Sequence, residues 1–437
     1  MKMLKLNFFS AALFMVYLTL SCQKVHNKQI ATGFGFQGVN QKDPRELGNG
    51  DIFESYPRFG SMKNHIGGFK KAGEYNSKYY GKSGFSKALP LIKISQGNNF
   101  SVHNYFHVCP ESPDGKWIVY CSFPNGPFPE TAGPCDVVIC DRKGKNHKII
   151  GSAINASQHN GARAMWIDNK HIIYTSEGKV HKVNIETGKT ESFTGMIDNY
   201  SSITNKVLFP SKEGNKAGLE GGAWSLDIES GELEHLIDFD DLQPFSPLDG
   251  IEITPESSRF AHTYWSPDAS KIAFAIFNGS PLEAYIFLAD PDGSNIKYWG
   301  PKAMHWTFFD NNSFFGHDDK RDKKDKYMRR WDFEGNIIET IAGVGCHGTI
   351  SPNGEWIVTE SWYGSDPTEI YLYKRGETTP TKIIATQEAN WKFRSHVHPA
   401  FSRDGKRVYF NFNAPESKGS QLYAADLSDY IKNKPKN

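Results

Sequence analysis

One pattern recurs through this chain and limits what it can fold into: an apolar strand, a tight polar turn, then a second apolar strand. The clear copies are SPDGKWIVY from Ser112, SPDASKIAF from Ser266, SPNGEWIVT from Ser351 and SRDGKRVYF from Ser402. Asp or Asn followed by Gly supplies the positive φ angles of a tight hairpin turn. Weaker copies read WIDNKHIIY from Trp166, SITNKVLF from Ser202 and FDNNSFFGH from Phe309. A second signature follows each copy, an alternating strand ending on an acidic residue and often a Gly turn: DVVICDRKG, VHKVNIETG, AWSLDIESG, AYIFLADPDG, MRRWDFEG, IYLYKRG and LYAADLSD. Units mostly spaced by roughly forty to sixty residues suit four-stranded blades set around an axis. Seven of them predict an all-β chain, a seven-bladed β-propeller over residues 101–437 with no helix of consequence. Two stacked β-sandwiches would not require a turn repeated in register.

Composition agrees with one globular, turn-rich body: 38% hydrophobic and 14% aromatic residues, with 40 glycines and 23 prolines among 437 positions. Fifty basic against forty-nine acidic side chains leave no net field to recruit nucleic acid or an anionic membrane, so any anionic ligand needs a local site. Residues 1–22 read as an export signal, with Lys2 and Lys5 ahead of an apolar run too short to span a bilayer. The end of that signal resembles a bacterial lipoprotein signal with Cys22 as the lipidated residue, although Thr19 stands where that pattern usually has leucine. A plain secretory signal is the other reading. Either exports the chain, to the periplasm or to a membrane surface reached only through the lipid anchor.

Residues 23–100 read as an N-terminal arm whose one good strand, ALPLIKIS, is suited to close the ring against the last blade. The charged run HDDKRDKKDKYMRR from His317 reads as a solvated hairpin tip. Five further cysteines, Cys109, Cys121, Cys135, Cys140 and Cys346, leave at least one unpaired and fit no zinc framework. Cys109 with Cys121, or Cys135 with Cys140, are the candidate disulfides, and buried free thiols are the alternative.

In a propeller the strand before each turn runs near the axis, so equivalent positions on successive blades form a ring. Four residues before each turn motif stand His262, His305, His347 and His398 in the fourth to seventh blades. His396 lies two residues before His398, on the same strand face. The same offset gives Asp198 in the third blade and Ala162, beside Arg163, in the second. One histidine before a strand is ordinarily a core residue. Four in register, when histidine fills 15 of 437 positions, point to a shared axial site. A ring of channel-lining residues bonded to water is the competing reading. Neutral imidazoles suit manganese, iron, nickel or zinc, and His347, His396 and His398 are the expected ligand set for a divalent cation with open positions. His305 and His262 are then the expected proton-transfer groups.

These segments resemble the oligogalacturonate lyases, seven-bladed propellers that cut uronic acid oligosaccharides by β-elimination. The resemblance covers roughly the last four blades. AMHWTFFDNNSFF resembles that family's catalytic-histidine segment and implies His305 in that role; CHGTISPNGEWIVTES implies His347 as a metal ligand; HVHPAFSRDGKRVYF implies His396 and His398. Manganese is the cation the resemblance favours. Two positions depart from the family: Phe393, three residues before His396, stands where the family has a glutamine ligand, and LEAYIFLAD lacks its functional arginine, for which Arg163, Arg394 and Lys302 are the candidate substitutes, the two arginines being the expected substrate-binding residues.

The implied activity is a carbon–oxygen lyase acting on a pectic or algal uronic-acid oligosaccharide. Removal of the C5 proton by His305, with His262 or a tyrosine assisting the C4 oxygen, gives a 4,5-unsaturated uronate. The leaving group is a sugar in a lyase or water in a dehydratase. The alternative is a non-catalytic periplasmic propeller that binds a protein or glycan, resembling TolB. No GxSxG elbow points to a hydrolase, and Asp240 with Asp241 read as a loop.

Overall fold

The computed structural model describes residues 89–431 apart from 129–131, 279–283, 301–302, 319–326, 344, 362–367, 388–394, 414–418 and 429–430. Those residues form seven four-stranded antiparallel sheets arranged as a β-propeller. Blade one runs from Phe100 to Ser157, blade two from Met165 to Thr194, blade three from Asn199 to Ile237 and blade four from Ser258 to Tyr298. Blade five spans Ala303 to Ala342 and blade six Gly348 to Gln387. Blade seven takes three strands from Ala400 to Asp426 and its fourth from the other end of the chain: Leu91–Lys93 pairs antiparallel with Gln421–Asp426, Ile92 opposite Ala424. Among the described residues no helix is long and apolar enough to cross a membrane.

The middle strands are covered on both faces by neighbouring blades, which is why they read as continuous apolar runs rather than alternations. Every residue of Ile272–Asn278 and of Ala284–Ala289 is buried, whereas the outer strand Thr190–Thr194 alternates toward solvent. The repeated turn is held by its serine. Ser112, Ser266, Ser351 and Ser402 each donate through Oγ to the Asp or Asn two residues on, at 2.6–2.8 Å. Each Oγ also accepts a backbone N–H five residues on, at 2.9–3.0 Å. The motif is thus a closed hydrogen-bonded unit, and it is stapled to the next blade: Asn169 accepts from Asp114 N–H at 2.8 Å and Asn311 from Asp268 N–H at 3.0 Å.

At the seam between blades seven and one a carboxylate replaces that asparagine. Glu111, fully buried, accepts from Arg403 N–H at 2.9 Å and from the Tyr409 hydroxyl at 2.5 Å, and pairs with Arg142 Nε at 2.8 Å. Arg142 also binds Asp404 through its guanidinium nitrogens at 3.1 and 3.2 Å. Burial and the neighbouring Glu111 charge push the Tyr409 phenol far above its ordinary range, so it stays a donor.

The described cysteines are free thiols, and neither expected pair is bridged; Cys121 instead shares a hydrogen bond with Cys135, because the two lie on paired strands. Cys22, the leader, most of the arm, Lys302, Phe393 and Arg394 lie outside the described residues.

Breaking a buried, hydrogen-bonded ion pair by removing one partner costs about 3 kcal/mol. Glu111→Ala is therefore expected to lower the thermal midpoint markedly, while Glu186→Ala, whose pair with Lys170 is exposed on both sides, leaves it unchanged within error.

Candidate metal centre

The inner strands do not run straight past the axis. The pairing of Ser258–Trp265 slips between Ala261 and Tyr264, and that of Ala303–Asp310 between Met304 and Thr307. His262 and His305 sit in these bulges with φ of 50° and 47°, and His398, just before the inner strand of blade seven, has φ 44°. Arg163, just before that of blade two, has φ 52°. A left-handed backbone at a non-glycine residue costs roughly 1–2 kcal/mol, and bulges commonly serve to re-aim a side chain. Four blades accept that strain at residues beside the axis.

The expected ligands come together. The rings of His347 and His398 are 4.6 Å apart between centroids, those of His347 and His396 5.2 Å, and those of His396 and His398 5.5 Å. A fourth imidazole joins them that the sequence reading missed. His159, on the connection from blade one to blade two, stands 4.2 Å from His396 and 4.5 Å from His398. One donor atom from each of His159, His396 and His398 lies within 4.8 Å of the others, and all three residues are buried. Both ring nitrogens of His398 lack a hydrogen-bond partner. Burial pushes the His159 imidazolium down to about 3 and those of His396, His398 and His347 well below 6.5, so each ring is neutral at pH 7. Buried neutral imidazoles with donor atoms this close together suit a divalent transition metal, and three nitrogen donors leave positions for a ligand.

The surroundings orient the donors. His347 Nδ1 faces the buried Glu360 carboxyl, the carboxylate–histidine pairing that fixes a ligating ring. Burial raises the Glu360 carboxyl above its usual range. Asn411, fully buried in blade seven, donates to the His396 carbonyl at 2.9 Å and accepts from His103 N–H at 3.0 Å. His103 Nε2 in turn meets the His398 carbonyl at 2.7 Å.

His305 lies against the ligand set, its ring 4.0 Å from that of His347. Its Nδ1 is 3.2 Å from His317 Nε2 and 3.5 Å from Cys346 Sγ. His317, read from sequence as the start of a solvated tip, is instead fully buried, because strand Ser313–Asp318 carries it inside before the charged residues begin. His262 is a step further out and meets the cluster through Tyr105, with the two rings nearly parallel at 5.9 Å.

Tyr105 is the second residue the sequence reading missed. The loop after Phe100–Val102 carries it into the axis, with its ring 4.7 Å from His398, 5.5 Å from His347 and 5.7 Å from His159. Its hydroxyl has no hydrogen-bond partner among the described residues, and burial, with the Asp198 charge nearby, keeps the phenol protonated at neutral pH. A signal existed: the four-residue offset in the first blade falls on Val108, next to His107 in NYFHV. Of the two expected substrate arginines, only Arg163 is described. It pairs with the buried Asp198, which also accepts from Thr263 N–H at 2.7 Å, and keeps about a third of its side chain exposed (36%).

No protein-family model matches this sequence, and no curated protein matches it. Solved structures do share its fold. An oligogalacturonate lyase in complex with manganese superposes with a TM-score of 0.60 at 14% identity, over 79% of this chain and 96% of its own. The oligogalacturonate lyase of Vibrio parahaemolyticus gives 0.58 at 15% identity, over 78% and 94%. TolB from Acinetobacter baumannii gives 0.40 at 15% identity, over 72% and 68%. The chain is a seven-bladed β-propeller. The solved structures it is similar to at fold level include oligogalacturonate lyases.

Outer groups that hold a metal-binding segment typically contribute about 10–100-fold to metal affinity. Equilibrium dialysis with manganese is expected to show one tight site in the native chain, a loss within that range for Asn411→Ala, and no tight site for His398→Ala.

Proposed function

We propose that the chain is a metal-assisted carbon–oxygen lyase that performs β-elimination across C4–C5 of a uronic acid residue in an oligosaccharide. One observation carries the reading: four neutral imidazoles and a protonated phenol form one buried cluster, with a partly exposed arginine close enough to act on it electrostatically. The fold likeness to oligogalacturonate lyases, one of them a manganese complex, supports it. The leader ending at Cys22 supports an exported, lipid-anchored enzyme.

The C5 proton of a uronate lies α to a carboxylate and becomes acidic only when that charge is neutralised. A divalent cation held by His159, His396 and His398, with His347 beside them, supplies Lewis-acid neutralisation of the carboxylate. Arg163, fixed by Asp198, pairs with an anionic group of the substrate and sets its orientation. His305 is neutral, since burial and the nearby imidazoles hold its pKa well below 6.5, and accepts the C5 proton. Tyr105 gives its proton to the C4 oxygen as the C4–O bond breaks. The products are a C4=C5 unsaturated uronate and either a shortened sugar or water.

The test is ultraviolet absorbance of the conjugated product, with manganese-loaded protein and a panel of pectic and algal uronic oligosaccharides. Absorbance should rise, stop on adding chelator and return on restoring metal; the product's mass separates chain cleavage from water loss. His305→Ala and Tyr105→Phe should each lower turnover about 100-fold or more, the usual scale for general acid–base groups, and still bind manganese. No rise on any substrate with metal bound would overturn the proposal in favour of a binding propeller.

A further inference from the structure

Beside the all-imidazole set lies a second group of donors with different chemistry. One donor atom each from His305, Cys346 and His347 lies within 4.8 Å of the others, and all three residues are buried. We infer that these three residues form a second cation position, selective for a thiophilic divalent metal such as zinc. Resting on the elimination reading above, we further infer that filling this position shuts the reaction off by engaging His305.

The distances support coordination geometry. Zinc–sulfur and zinc–nitrogen bonds of about 2.3 and 2.0 Å at a tetrahedral angle put the two donors about 3.5 Å apart. Cys346 Sγ and His305 Nδ1 stand 3.5 Å apart. His317 Nε2, 3.2 Å from His305 Nδ1, lies beside the triad. The cysteine is presented on a fixed backbone, for its N–H bonds both to Glu360 O at 2.9 Å and to Thr359 Oγ1 at 3.1 Å. The preceding residue must be small: a Cβ on Gly345 would clash with the Thr359 side chain.

Donor type separates the two positions. His159, His396 and His398 offer only imidazole, which manganese accepts, whereas a thiolate selects softer metals. On binding, Cys346 releases its proton and becomes the thiolate ligand. His305 then shares its Nδ1 lone pair with the cation, the ring's remaining nitrogen loses basicity, and it no longer takes a proton from C5. The two positions adjoin through His347, whose ring is 4.6 Å from that of His398.

The experiment counts metal on the full-length, metal-stripped chain. With zinc, two ions per native chain and one per Cys346→Ser chain are expected; with manganese, one for each. Cobalt(II) loaded in place of zinc should give the native chain a thiolate-to-cobalt absorption band that Cys346→Ser and Cys346→Ala both lack. Zinc added to manganese-loaded native protein should abolish elimination, and should not lower whatever rate Cys346→Ala shows without zinc. One zinc per native chain, or cobalt without a thiolate band, leaves a thiol–imidazole hydrogen bond only and overturns the site. Two zincs and a thiolate band with unchanged native turnover overturn the inhibition alone. A native chain inactive on every uronate overturns the elimination reading and the inhibition with it, while the metal count and the band still decide the site.

Discussion

Everything at the axis depends on the ring being closed, and the ring is closed between residues that lie far apart in the chain. Leu91–Lys93 completes the seventh sheet, and Glu111, with no exposed surface, ties the first blade to Arg403 and Tyr409 of the seventh. An ion in low dielectric is stable only if its lone pairs are satisfied, and here a guanidinium, a phenol and a backbone N–H do so. The same seam passes through the candidate metal centre. His103 of the first blade bonds the carbonyl of His398 and the amide of Asn411 in the seventh. His159, just past the first blade's last strand, faces His396 and His398 of the seventh. A cation on those three imidazoles would span the closure point, and so would stabilise the closed ring over any opened form.

The site accumulates two unfavourable terms that the scaffold must offset. His262, His305, His398 and Arg163 hold left-handed backbones, and at least seven imidazoles share a buried space where none gains enough from its neighbours to charge. Both terms are bearable because the strands on either side are pinned by full ladders and by the serine-held turns. Both also have a functional sense. A bulge turns a side chain toward the axis without ending the strand, and suppressing protonation keeps lone pairs available at neutral pH.

The fold and half of the site were legible in the sequence for the same reason. The turn motif repeats because each blade needs the same hairpin, and a fixed offset from it reaches the innermost strand. That offset led to His262, His305, His347 and His398, three of which the structure brings against one another. It failed where backbone leaves the repeat. His159 and Tyr105 ride on connections whose paths are set by tertiary contacts; no period marks His159, and the offset lands three residues past Tyr105. His317 was hidden by the charged residues that follow it, since composition averages over a strand end and the turn beyond. Cys346 carried no spacing signal, because its contact with His305 crosses from one blade to the next.

Cys346 also shows why donor type matters more than donor count in this pocket. Both triads are buried and hold their donor atoms within 4.8 Å of one another, so burial does not tell them apart. The difference is one sulfur. A site of imidazoles alone ranks metals by availability and geometry, and one with a thiolate shifts that ranking toward zinc. The base the proposed elimination needs thus sits within reach of the softest donor in the pocket. That contact ties the reactivity of His305 to whatever occupies Cys346, whether a proton or a metal.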